Sequence, residues 1–224
     1  MEKPIAAGLE DADAILAAAR AAGRLVMVGH TERFNPAIVA LAGVVTRPRF
    51  LEIHRLAGFS ARSTDVDVIL DLMIHDLELL QHLDGSDVVA VDAVGVAALT
   101  DKVDIANARI RLASGCVANL TASRISAETL RRVRVFQSRS YVACDTVART
   151  VEEYRVEPGE GGRPTIGRRQ LPVGDGEPLA LELRAFLECV RTRAVPPVDG
   201  ADGRRALELA HRVRDAARAQ TVGA

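Results

Sequence analysis

Two short motifs carry the residues of this chain that could do chemistry. The first is Asp71-Leu72-Met73-Ile74-His75-Asp76, in which an acid precedes a histidine by four positions. Residues four apart on a helix share a face, and a carboxylate beside a histidine fixes its tautomer and raises its basicity. The spacing therefore suits proton transfer. Asp76 falls among apolar positions, where an unpaired carboxylate is costly, so we expect an arginine or backbone amides to bind it.

The second motif is Glu2-Lys3-Pro4, at the start of the chain. Lys3 and Lys102 are the only lysines among 29 basic residues. A compact ammonium can hydrogen-bond a substrate hydroxyl and stabilise developing alkoxide charge. Together with His75, it describes the oxidation of a secondary alcohol, provided that a hydride acceptor is present. The chain has no evident group of its own to accept the hydride.

Other chemistries fit the sequence less well. A metal site could be built from His30, His54, His75 and Asp76, but the Asp-x3-His-Asp spacing matches no common structural zinc pattern, so we predict no metal. A nucleophilic serine of the Gly-x-Ser-x-Gly type is absent from the sequence. A plainer alternative is that the polar stripe of the helix, which Glu78 and His82 continue, merely faces water.

Composition narrows the class of protein. The 29 basic and 30 acidic residues leave a net charge of −1, and aromatic residues are scarce, so we predict no nucleic-acid partner. The run Arg131-Arg132-Val133-Arg134 is interpreted as an exposed sheet face. Three widely spaced cysteines predict neither a disulfide framework nor a thiolate metal site. Because no apolar run reaches the length of a membrane span and no signal peptide is visible, we expect a cytoplasmic protein without membrane contact.

Hydrophobic periodicity predicts the elements that must position these motifs. A helix at Leu9–Ala22 should lead into a short buried parallel strand at Leu25–Val28. Asn35-Pro36 should begin a helix that ends near Val45, and the histidine motif should lie on a long helix from Val66 to Leu83. Strands are predicted at Phe50–Leu56, Val88–Leu99, Ile105–Leu112, Val117–Ser123, Arg132–Gln137, Tyr141–Asp145 and Glu153–Val156, followed by helices at Pro178–Arg193 and Asp202–Ala217.

The order and spacing of three motifs resemble the Gfo/Idh/MocA family of oxidoreductases. They are Glu2-Lys3-Pro4, the stretch from Val26 to Pro36 that contains His30-Thr31-Glu32-Arg33-Phe34, and Asp71-x3-His75-Asp76. The resemblance implies an NAD(P)-dependent dehydrogenase acting on a sugar, sugar nucleotide or inositol. It also implies an α+β chain: residues 1–34 as the remnant of a Rossmann domain, and residues 35–224 as a substrate domain with a large open, mainly antiparallel sheet, helices on one face and a homo-oligomer interface on the sheet.

The same resemblance implies roles for residues. Lys3 would lie beside the substrate hydroxyl and the nicotinamide, with Glu2 and Pro4 also at the cofactor. His75 would be the general base, and Asp71 would orient it or help to bind substrate. The remaining implied contacts are made by arginines: Arg33 at the cofactor and substrate, and Arg55 and Arg62 at an anionic substrate group.

One part of the family pattern is missing from the sequence. The Gly-x-Gly-x-x-Gly turn does not precede Glu2, and Gly159, Gly161 and Gly162 do not replace it because no apolar strand leads into them. We therefore expect a truncated chain that binds NAD poorly by itself. Two hypotheses stay open: the catalytic portion of a dehydrogenase, whose motifs look most like those of members acting on UDP-N-acetylhexosamines at C3, or a non-catalytic carbohydrate-binding or oligomerisation module.

Overall fold

An eight-stranded sheet organises the fold in a computed structural model of the chain, which describes residues 1–60, 66–159, 161 and 163–220. The order of the strands across the sheet is β2-β3-β4-β1-β5-β6-β7-β8. β1 pairs in parallel with β4, and the other neighbouring pairs are antiparallel. In chain order, the strands β1 to β8 are Phe50–Leu56, Val88–Val96, Ile105–Leu112, Val117–Ser123, Leu130–Phe136, Ser140–Asp145, Thr150–Pro158 and Pro164–Gln170.

Alternation along the strands gives the sheet one covered face and one open face. In β1, Leu51, Ile53 and Arg55 are buried against helices, whereas Glu52 and His54 point to the other side. Side chains of successive strand residues point to opposite faces, so an apolar-polar alternation buries one face only. The α+β class, the mainly antiparallel sheet and the helices on one face are thus confirmed.

The helices are α1 to α5; the start of α2 follows its predicted signal, but α2 ends at Ala42 rather than near Val45. Asn35 caps α2, with its Oδ1 accepting a hydrogen bond from the Ala37 amide at 3.0 Å. Gly85, with φ of 77°, ends α3 in the left-handed region. Within the described residues, no helix has the length and apolar character needed to cross a membrane. The bounds of α1 to α5 are Leu9–Ala21, Pro36–Ala42, Ile74–Asp84, Pro178–Thr192 and Gly200–Gln220.

The predicted strand at Leu25–Val28 is wrong. This segment forms only an isolated antiparallel bridge, between Met27 and Asp199, and Val28 packs against the first turn of α5. Apolar residues here are buried by a helix rather than by sheet neighbours. A run of four apolar residues reports burial, and the partner that provides it lies far along the chain.

Two further differences concern regular structure. The long helix begins as a π-helical segment, Ile69–Met73, before continuing as α3. β8, at Pro164–Gln170, was not predicted, because it is almost entirely exposed and lacks the apolar alternation that marks a half-buried strand. Its backbone pairs with β7 in register from Glu152 to Pro158.

Candidate active site

The two motifs of the sequence meet at Lys3. Its Nζ donates to the backbone oxygen of Asp71 and to Asp71 Oδ1, at 3.1 Å for the latter. A backbone bridge between Glu2 and Gly29 holds the segment that carries this lysine, and the peptide bond between Lys3 and Pro4 is cis. The side chains of Lys3 and Asp71 are 18% and 22% exposed, so the pair is partly buried rather than in bulk solvent.

Asp71 lies in the π-helical segment, where the turn holds one residue more than in an α-helix. The start of this segment is fixed by Asp67, whose Oδ1 accepts from the amides of Ile69 and Leu70. A π-helical turn changes the phase between positions four apart, and such turns are frequent at functional sites. The expected contact between Asp71 and His75 is not formed among the described residues; the carboxylate pairs with Lys3 instead.

Two histidine rings contact each other close to this lysine. The rings of His30 and His75 are edge to face, with centroids 5.7 Å apart. Burial lowers the pKa of His30 to about 4, with Lys3 and Arg33 adding to the effect. Burial also holds the pKa of His75 well below its usual value, helped by the charges of Arg55 and Lys3. Both imidazoles are therefore neutral at neutral pH.

A buried ion cluster supports the histidines from the sheet. The Nε of Arg55 lies 3.0 Å from both carboxylate oxygens of Asp76, which confirms that this acid has an arginine partner. Arg55 NH1 donates to Glu32 Oε1 at 3.2 Å, and Arg131 NH1 donates to the same oxygen at 3.2 Å. Arg55 is only 5% exposed. Its donors face acids of the protein, so the structure gives it a supporting position instead of the expected one at a substrate anion.

The other predicted binding residues lie in different surroundings. Arg33 pairs with the buried carboxylate of Glu78, and its NH2 donates to the Pro197 oxygen at 2.9 Å. Burial raises the pKa of Glu78 to about 7, against the effect of Arg33. Glu2 is exposed and contributes its backbone. Arg62 lies outside the described residues.

Sequence reasoning overlooked Glu32, Arg131 and Glu78 as members of this region. Glu32 directly precedes Arg33 in the sequence, and this adjacency is the signal that could have identified Glu32 as a residue of the site. Of the basic run on β5, Arg132 and Arg134 face the open side as predicted, whereas Arg131 turns toward Glu32. No group of three or more potential metal ligands is found among the described residues, and His54 lies on the open face, away from His75.

Several buried polar atoms of this region have no hydrogen-bond partner in the described structure. Buried polar groups in native proteins are nearly always paired, so water or a polar ligand would complete the hydrogen bonds of these atoms. The Lys3 ammonium and the neutral imidazoles of His30 and His75 are groups suited to binding and deprotonating a hydroxyl. The unpaired atoms are His30 Nδ1 and Nε2, His75 Nδ1, Glu32 Oε2, Glu78 Oε2 and Thr146 Oγ1.

Comparison with known proteins gives consistent matches. Residues 38–142 match the GFO/IDH/MocA C-terminal domain. UDP-N-acetylglucosamine 3-dehydrogenase of Acidithiobacillus ferrooxidans is 41% identical over 98% of this chain and 71% of that protein. A solved structure of that enzyme superposes with a TM-score of 0.91 over 97% of this chain and 70% of the other.

More distant relatives share the same architecture. Myo-inositol 2-dehydrogenase of Thermotoga maritima is 25% identical, over 94% of this chain and 67% of that protein. Levoglucosan dehydrogenase, solved in complex with NADH and levoglucosan, has a TM-score of 0.83 at 19% identity, over 98% of this chain and 71% of the other. The sheet, the lysine and histidine motifs and these matches agree: the chain belongs to the Gfo/Idh/MocA family of oxidoreductases.

Proposed function

We propose that this chain carries the substrate-binding and proton-transfer residues of a nucleotide-sugar dehydrogenase that oxidises a secondary hydroxyl, at C3 of UDP-N-acetylglucosamine, with NAD(P). The observation that carries the proposal is the Lys3 ammonium, held by Asp71 beside the buried His30 and His75. The 41% identical relative, which is named for this reaction, supports the choice of substrate.

The residues around Lys3 suit the nicotinamide end of the cofactor. The buried nitrogens of His30 have no partner among the described residues and could accept or donate a hydrogen bond to a ligand. When bound, nicotinamide supplies a hydride acceptor, which the chain itself lacks. Lys3 and His30 would hold that end of the cofactor, and a structural relative solved with NADH supports the cofactor class.

Lys3 is assigned to the substrate hydroxyl. An ammonium has three donors, and the described contacts use two of them, both on Asp71. The third can be donated to the hydroxyl oxygen, where it stabilises negative charge as the O–H bond breaks. Asp71 keeps the ammonium in place and so acts as a positioning residue.

His75 is assigned as the general base. Its lowered pKa keeps the imidazole neutral, so it has a lone pair available for the hydroxyl proton. The C–H bond breaks with its electron pair leaving as hydride, the O–H proton goes to His75, and the carbon and oxygen form a carbonyl.

The test is a comparison of substrates on the full chain. We expect calorimetry to show tighter binding of UDP-N-acetylglucosamine than of myo-inositol or glucose, and nicotinamide reduction by a full-length form that includes a dinucleotide-binding domain to follow the same order. Equal or better use of the free sugar or the inositol would contradict the proposed substrate.

We also propose that the open sheet face pairs with a second copy of this chain. Four aromatic rings in one row across the sheet, from Phe50 to Tyr154, supply apolar area, and the flanking Arg134–Glu52 pairs supply both signs of charge. A two-fold interface needs such a self-complementary surface. Sedimentation analysis should show an oligomer that Tyr141→Glu dissociates; a monomeric wild-type protein would contradict the pairing.

A further inference from the structure

Arg131 occupies a position that sheet stability does not explain. In the register of β1 and β5 it lies directly opposite Arg55, on the covered face. Like charges directly opposite one another destabilise a strand pair. By contrast, Arg132 lies opposite Asp145, and Arg134 lies opposite Glu52, each with an acid as its neighbour. Arg131 is the member of this basic run whose charge is placed against another cation.

The guanidinium of Arg131 also has donors without a hydrogen-bond partner among the described residues. Among the described residues it donates one hydrogen bond, to Glu32 Oε1, and that oxygen is shared with Arg55. Its side chain is 43% exposed. An arginine has five N–H donors in a planar fork that matches the oxygens of a phosphate. Most of this fork is therefore free for a ligand.

The surroundings of Arg131 place this free fork at the active site. Glu32 Oε2 and Thr146 Oγ1 are buried without partners, and the Thr146 amide donates to the Arg131 backbone oxygen. The charge of Arg131 is among those that lower the pKa of His75, after burial and the effects of Arg55, Lys3 and His30. Arg131 is thus joined to the candidate site through the Glu32 oxygen that it shares with Arg55.

We propose that Arg131 binds the diphosphate of the nucleotide sugar and so determines specificity for a nucleotide-linked over a free sugar. This inference rests on the proposed function. The buried Arg55 does not contact the anion but, through the shared oxygen of Glu32, holds the arginine that does. Arg131 takes part in substrate recognition and in no bond-breaking step.

The test measures binding of UDP-N-acetylglucosamine, UDP and N-acetylglucosamine to the full chain by calorimetry. We expect Arg131→Gln to weaken binding of both diphosphates by about tenfold or more, as for loss of a charged hydrogen bond. Binding of N-acetylglucosamine should not change. Arg131→Lys should restore part of the loss, because it keeps the charge and loses the fork.

Arg132→Gln is the matched control, since Arg132 is the next residue, is 39% exposed and has a single acidic partner on the open face. Unchanged diphosphate affinity in Arg131→Gln, or an equal loss in Arg132→Gln, would overturn the inference while leaving the proposed function intact. Failure of the wild-type chain to bind either diphosphate would overturn both. Thermal unfolding of each variant verifies that a loss of binding is not a loss of fold.

Discussion

The two faces of the sheet use the same kinds of residue in opposite ways. On the open face, arginines pair with acids of the neighbouring strand: Arg134 lies 3.0 Å from Glu52, and the two side chains are 36% and 28% exposed. On the covered face, Arg55 and Asp76 are buried, and neighbouring acceptors lack partners. Exposed pairs of the first kind contribute little to stability, whereas buried charges are costly unless they are fully paired. The covered face therefore has polar groups whose missing hydrogen bonds a ligand can supply.

The largest expected effect is a loss of turnover on substitution of a histidine of the site, compared with a histidine of the open face. His75→Gln should reduce turnover by about 100- to 10,000-fold, the usual contribution of a general base. His54→Gln, on the open face, should leave turnover unchanged. Steady-state nicotinamide reduction with UDP-N-acetylglucosamine, by a full-length form that includes a dinucleotide-binding domain, measures both. Comparable losses of turnover in the two variants would contradict the assignment of His75 as the general base.

The second prediction compares the ion pairs of the two faces. Asp76→Ala should lower the free energy of unfolding by about 3–5 kcal/mol, because it leaves Arg55 buried without its main partner. Glu52→Ala removes the exposed partner of Arg134 and should cost at most about 1 kcal/mol. Urea unfolding followed by circular dichroism gives both values. Similar losses would show that burial does not distinguish the two pairs.

The third prediction uses pH. The folded chain holds the pKa of His30 at about 4, below the ordinary value of 6.5. The unfolded chain therefore takes up a proton first, and this histidine reduces stability by at most about 3 kcal/mol as the pH falls from 6.5 to 4. Glu78 acts in the opposite sense, since its raised pKa weakens stability as the pH rises from 4.5 toward 7.

The contribution of His30 is isolated by comparing wild type with His30→Phe in urea at pH 6.5 and at pH 4.5. The variant should lose less stability between these values than the wild type does. Because Glu78 is present in both proteins, its effect cancels in the difference. Parallel pH profiles for the two proteins would show that His30 is not held neutral in the fold.

The smallest expected effect concerns the aromatic row of the open face. Tyr141 stacks between Phe136 and Tyr154, with centroids at 4.7 and 5.2 Å, whereas Phe50 has a single ring neighbour, Phe136, within the part of the chain that the structure describes. Aromatic pairs add about 0.5–1.5 kcal/mol each beyond buried area, so Tyr141→Leu should destabilise the fold by about 1 kcal/mol more than Phe50→Leu. Unfolding at several protein concentrations separates this effect from dissociation. A larger loss for Phe50→Leu would contradict the row as a stabilising unit.

Much of the fold follows from local patterns. Period-two burial predicted β1 and β3 to β6, and the Asn35-Pro36 cap located the start of α2 because both signals act within a few residues. β8 carried no such signal, since it is exposed and ordered by backbone pairing with β7. The boundary of a dinucleotide-binding remnant at residue 34 stays a prediction.

In the candidate site, too, local sequence patterns predicted less than the tertiary structure shows. The sequence by itself determined which residue types are present: a rare lysine, an acid and histidine four apart, and an acid among apolar positions that needs a partner. Only the tertiary structure decided the partners. Asp71 binds Lys3, 68 positions away, because a π-helical turn changes its phase and a backbone bridge places the lysine there. Arg55 and Arg131 meet because strand register joins segments that local spacing cannot relate.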